Sequence, residues 1–201
     1  TLQTAYLKAH YPVEFMTALL TVERGKLDKV AMFVSECRRL GITVLPPDIN
    51  ASGIHFEVEP AVWSTLEERS QLQGKPDLAI RFGLGAIKNV GDGPAEIIVQ
   101  ARGNEPFASL DDLANRVDLR QVNKRVLECL VRAGVLDCLG ERNALLASLD
   151  RALALSQEVH GARDVGQRSL FDLSPQLMKQ SAPPVKLTES VPQMGQKQRL
   201  A

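Results

Sequence analysis

Apolar residues recur at helical spacing over most of the chain and alternate in only two short places. Leu2, Ala5 and Ala9 open an amphipathic helix, and "YPVEFMTALLTVE" continues with Phe15, Met16, Leu19 and Leu20 on one stripe. Pro12 suits the first turn of that second helix, where an amide hydrogen is not needed. After a break near Gly25, Leu27, Val30, Phe33, Val34 and Leu40 mark a third helix, and Gly41 fits its end. Pro46 and Pro47 forbid helix, so "ITVLPPDIN" is expected to be extended. "HFEVE" and "LAIRFGL" alternate and are expected to pair as a small two-stranded β ribbon, with a surface insertion between them.

From Gly85 onward the pattern is helical again. Ser109, followed three residues later by Asp112, predicts a capping box at a helix start. Val122, Val126, Leu127, Leu130 and Val131 form the apolar face of the next helix, and Leu145, Leu149 and Leu153 that of the last. Beyond Gly161 the stripe fades, and Pro, Gln, Ser and Lys dominate 174–201, a composition of linkers or of a truncated domain. The expected class is mainly α.

Composition narrows the function. Lys plus Arg equals Asp plus Glu at 24 each, so no overall positive field draws nucleic acid, and any such contact must come from a local patch. Between Arg81 and Arg142 nine cationic side chains again face nine anionic ones. Cys37, Cys129 and Cys138 are too widely spaced for a CxxC pair, which predicts neither a disulfide framework nor a zinc site and suits a reducing cytoplasm. No run of apolar residues is long enough to span a membrane. The first residue is not Met and lies inside a helical pattern, as expected of a piece of a longer chain. His10, His55 and His160 are isolated, and Asp111–Asp112 is explained by capping, so no catalytic or metal residue is assigned.

One stretch asks for more than packing. In "GAIKNVGDGPAEIIVQAR" two glycines flank Asp92, and Pro94 follows at once. Gly91 and Gly93 permit positive φ and leave amides uncovered by a Cβ. With Pro94 at the first position of the next helix, the exposed amides and the positive end of its dipole make an anion site, for which a phosphodiester is the natural ligand. Asp92 works against this, because a carboxylate between the glycines repels phosphate.

The words "QTAYLKAHYPVEFMTALLT", "LPPDINAS", "FEVE", "IRFGLGAIKNVGDGPAEIIVQAR", "PFASLDDLANRVD" and "NKRVLECLVRAGVLDCLG" follow one another in this order. Together they resemble the bacterial replicative DNA polymerase III alpha subunit family over roughly residues 1–172. The resemblance implies the end of a fingers domain (1–45), an extended segment and ribbon (46–84), and a tandem helix-hairpin-helix DNA-binding domain (85–160). A clamp-binding peptide (161–173) and the tail (174–201) would follow. The first hairpin is expected at 84–102 and the second near Gly134. Gly91 and Gly93 match the phosphate-facing glycines, with Lys88 beside them on the preceding helix, and Arg102, Lys124 and Arg125 are candidate backbone clamps. Lys8 would belong to the fingers.

The peptide "GQRSLFDL" is similar to the one by which bacterial polymerases hold the sliding clamp (the beta subunit). There Leu170 and Phe171 fill an apolar pocket and the Gln167 amide bonds at its edge. The implied partners are double-stranded DNA, the clamp and other polymerase III holoenzyme subunits. Magnesium is implied only for the whole polymerase, whose palm carboxylates have no counterpart here, so this chain alone is expected to be inactive. The competing expectation is a stand-alone helical protein-interaction module without DNA binding.

Overall fold

The computed structural model describes residues 2–61 and 78–164. The chain divides into two compact units, Thr1–Asp92 and Gly93–Ala201. The architecture is mainly α, as the apolar spacing requires. Among the described residues no helix is long and apolar enough to cross a membrane.

In the first unit α1 (Leu2–His10), α2 (Pro12–Val22) and α3 (Leu27–Arg39) precede three short strands, β1 (Thr43–Leu45), β2 (Glu57–Pro60) and β3 (Leu78–Arg81). Val13, Met16 and Leu20 on α2 meet Val30 and Cys37 on α3 and Ile80 on β3 in one core, with Phe56 and Phe82 edge to face at 4.7 Å. The stripe expected on α1 is not used in this way, for none of its residues is buried and Leu2 is 90% exposed.

The ribbon is larger than expected. β2 and β3 pair antiparallel as predicted, but β1 adds a parallel third strand in the order β1-β3-β2, with Val44 and Val58 both opposite Ile80. The reason lies in β3. Ala79 and Ile80 are fully buried, so their strand is central and needs ladder partners on both sides. Arg81 ties the three together: Nε and Nη2 donate to the Glu59 carboxylate at 3.0 and 2.6 Å, and Nη1 donates to the Pro46 carbonyl at 2.9 Å.

In the second unit α4 (Asp92–Arg102), whose first residue closes the first unit, is followed by α5 (Leu110–Arg116), α6 (Lys124–Arg132) and α7 (Arg142–Asp164). The start signal at Ser109 holds: its side chain accepts from the Asp112 amide at 3.1 Å. The reciprocal bond runs one residue further out than in a standard capping box, from the Ala108 amide to Asp112 Oδ2 at 3.0 Å. α7 packs on α5 and α6 through Leu145, Ser148, Leu149, Ala152 and Ser156, so its buried stripe follows small residues and leaves Leu153 half-buried. Ser156 Oγ accepts from the Leu119 amide and donates to the Val117 carbonyl, both at 3.0 Å, which satisfies the chain where α5 ends.

Candidate nucleic-acid interface

The chain enters the glycine corner through backbone pairing. The amides of Leu84 and Gly85 donate to the carbonyls of Gly53 and Ile54, each at 2.9 Å, and a Cβ at Gly83 would run into the backbone of His55. Two glycines in three residues disfavour a helix here. The element before the corner is accordingly a single 3₁₀ turn, Leu84–Ala86, where a helix was expected. Lys88 thus sits in an exposed turn (88–90) rather than on a helix, and Val90 is the buried anchor behind it.

The corner is made by two left-handed residues, Asn89 at φ 67° and Gly91 at φ 70°. Asn tolerates this region better than other side chains, which its place in "KNVG" could have signalled. Gly93 differs from expectation. It takes no positive φ and lies inside the first turn of α4, which begins at Asp92. Pro94 is therefore the third helical residue, still within the turn whose amides lack helical partners, so its missing hydrogen breaks no bond.

The two glycines share one property. Both are exposed, and a Cβ built on either would meet nothing within 4 Å. Nothing in the fold needs a glycine at 93, although glycine in a helix costs about 0.5–1 kcal/mol relative to alanine. Asp92 carries a restraint that the sequence did not reveal. Arg24, in the turn between α2 and α3, donates from Nη2 to Asp92 Oδ2 at 2.6 Å and from Nη1 to the Thr21 carbonyl at 3.1 Å. The partners are 68 residues apart, so no local pattern announces them.

Of the predicted side chains only Lys88 shares the corner. Arg102 is half-buried at the opposite end of α4, about 15 Å away at 1.5 Å per residue. That end is held by Arg116, another residue the sequence did not single out. Its Nη2 donates to the carbonyls of Ala101, Arg102 and Glu105 at 3.0, 2.6 and 2.8 Å, and its guanidinium lies 4.6 Å from the centre of the Phe107 ring. It satisfies the carbonyls that a helix leaves open.

Lys124 and Arg125 begin α6 behind the cap Asn123, whose side chain accepts from the Val126 amide at 3.0 Å. Lys124 Nζ lies 2.6 Å from Asp150 on α7, and this bond holds its ammonium above the ordinary lysine value. Arg125 is exposed. In the first unit Lys8 pairs with Glu36 at 2.9 Å.

The second glycine corner is closed. α6 ends in a Schellman motif, with the Val135 amide donating to Leu130 and that of Gly134 to Val131, both at 3.0 Å, and Gly134 at φ 83°. A Cβ on Gly134 would strike the Arg142 guanidinium, which grips Asp137 at 2.8 and 2.7 Å. The start of α7 already carries an anion: the Glu141 carboxylate accepts from the amides of Asn143 and Ala144 at 2.8 and 3.1 Å. Among the described residues no three His, Cys, Asp or Glu side chains converge in a metal-binding group. Gln167, Leu170 and Phe171, like the tail 174–201 and the insertion between β2 and β3, lie outside the described residues.

Comparison with known proteins bears on both hairpins. A family model described as a helix-hairpin-helix motif matches residues 41–146. The chain is 43% identical over 171 residues to DNA polymerase III subunit alpha of Vibrio cholerae, an alignment covering 84% of this chain and 13% of that protein. It is 48% identical over 172 residues to the subunit of Thermus aquaticus, covering 85% of this chain and 12% of the relative. Against the subunit of Escherichia coli it is 40% identical over 184 residues, 89% of this chain and 14% of the relative. It therefore spans about one-eighth of the length of the curated relatives it matches. With that motif across half its length and this similarity along most of the remainder, the chain belongs to the helix-hairpin-helix family and matches a segment of the DNA polymerase III alpha subunits.

Proposed function

We propose that this chain is the part of a replicative DNA polymerase that grips the sugar-phosphate backbone of duplex DNA without reading its sequence and tethers the enzyme to the sliding clamp. The observation that carries the DNA reading is the open corner, where the exposed Gly93 stands in a helical turn that does not need glycine. Amides at a helix start, stripped of Cβ cover, suit an oxyanion and ignore base identity. Lys88 adds a cation in the turn that leads into the corner, and affinity falls with salt as counterions are released.

Gly93→Ala tests this directly in the full chain. The added methyl enters open space, so the fold is retained and α4 gains slightly, while the methyl stands where a phosphate would approach. Affinity for a mixed-sequence duplex at low salt falls about tenfold, the loss of one charge-assisted hydrogen-bonding contact. Unchanged affinity in a variant that melts at or above the wild-type temperature would remove the corner from DNA binding.

Clamp tethering is the second half of the proposal and rests on Gln167, Leu170 and Phe171. An aromatic anchor in an apolar pocket carries most of the energy of such a peptide, so Phe171→Ala abolishes binding to a bacterial sliding clamp in titration. Equal affinities of wild type and variant would end it. The chain is not catalytic alone. Nucleotide transfer, its magnesium ions and the remaining holoenzyme partners belong to the longer polymerase, which works in the bacterial cytoplasm on the nucleoid.

A further inference from the structure

All nine residues of α1 are exposed, Leu2, Tyr6 and Leu7 among them, so this helix gives no side chain to the core that α2, α3 and the sheet share. A helix of that length is marginal in water unless packing holds it. Its junction with α2 adds little. Tyr11 leaves the helical region at φ −134° and ψ 58°, and Pro12 has no amide hydrogen with which to bond back into α1. The two ladders meet at Tyr11, whose amide donates to the Leu7 carbonyl at 2.8 Å and whose carbonyl accepts from Phe15 at 3.0 Å. The stacking of Tyr6 on His10, with ring centres 4.2 Å apart, lies within α1 itself. What reaches across to α3 is a charge. Lys8 Nζ donates to Glu36 Oε1 at 2.9 Å, although the two stand 28 residues apart in sequence. Arg39 grips the same carboxylate from its own helix, Nε at 2.8 Å and Nη2 at 2.6 Å, so the acceptor is fixed in place before Lys8 meets it.

We infer that α1 is a strap: it opens independently of the rest of the first unit, is latched to α3 by the Lys8–Glu36 ion pair, and is released by salt. Release unwinds α1, because none of its side chains is buried and so short a helix does not persist by itself. α2 and α3 keep their core, in which α1 has no part. The opening is therefore local, bares little apolar surface and depends only weakly on denaturant. The latch is a surface pair that salt screens, and its loss multiplies the open population about threefold.

The test is amide hydrogen exchange on the full chain, residue by residue, in urea below the unfolding transition. The amides bonded within α1, up to that of Tyr11, are far less protected than those of Met16 and Leu20 and show almost no urea dependence. Those of Met16 and Leu20 follow the unfolding of the unit. Lys8→Gln speeds exchange in α1 about threefold. Moderate salt does the same to the wild type and leaves the variant unchanged. In a Glu36→Gln background Lys8→Gln adds nothing, since its partner has gone. One common protection and one urea slope for α1, Met16 and Leu20 would mean that α1 opens only with its unit, and would overturn the strap. Equal α1 rates in wild type and Lys8→Gln would remove the latch. A rise from Lys8→Gln that persists in the Glu36→Gln background would assign the charge to the dipole at the end of α1 rather than to α3, and would overturn the latch as well.

Discussion

Two corners of this chain carry a left-handed glycine ahead of a helix, and they have opposite surroundings. At Gly91 the space above the backbone is open, the first two residues of the following helix are exposed, and the carboxylate of Asp92 is taken by Arg24. At Gly134 the space is filled by the Arg142–Asp137 pair, and the next helix is capped by its own Glu141. The same residue type at the same kind of junction thus serves two purposes. Gly134 is glycine because the Schellman turn forces positive φ and the ion pair leaves no room. Gly93 takes no positive φ and a Cβ there would meet no neighbour, and on that difference the proposal of a DNA contact at the open corner rests.

Substitution separates the two corners most sharply through stability. Gly134→Ala meets both the unfavourable φ and the Arg142 guanidinium, and loses about 2 kcal/mol in chemical denaturation. Gly91→Ala pays only the backbone strain, about 1 kcal/mol, since its methyl has space. If the two variants were equally destabilised, the crowding at Gly134 would count for nothing and the contrast would lose its physical basis.

Acid has the smallest effect, and it falls on the unit that ends at the open corner. Arg39 first, and then Lys8, hold the Glu36 carboxyl at about 2, below its ordinary 4.5. A folded-state value lowered in this way contributes stability above pH 4.5 that is lost as pH falls toward 2. The difference in melting temperature between wild type and Glu36→Gln therefore shrinks across that window. A difference that is constant with pH would show that the tie between α1 and α3 is not electrostatic.

Much of the fold could be read because its signals are local. Helix periodicity found the apolar faces of α2, α3 and α6, and Ser109 with Asp112 marked the start of α5, because three or four residues suffice to define each. The third strand was missed because pairing of β1 with β3 joins residues some 36 positions apart, with no mark in "TVL" itself. The burial of Ser156 on α7 is not legible because a small polar residue counts as exposed until neighbours supply its hydrogen bonds, as Val117 and Leu119 do here. At the site, the glycines and Lys88 are legible in the sequence; Lys88 lies in the turn 88–90, Gly91 follows it, and Gly93 lies in the first turn of α4. Arg102, expected as an additional backbone clamp, stands an entire helix length from the corner.

The residue order alone determined that this chain is helical, that it turns sharply around Gly91, and that its words are those of a polymerase subunit, because each is written in neighbouring residues. Only the tertiary structure decided which glycine corner stays open, where the Asp92 carboxylate goes, and which basic residues share the turn. Those outcomes depend on what distant segments bring into the same few ångströms, as Arg24 is brought beside Asp92.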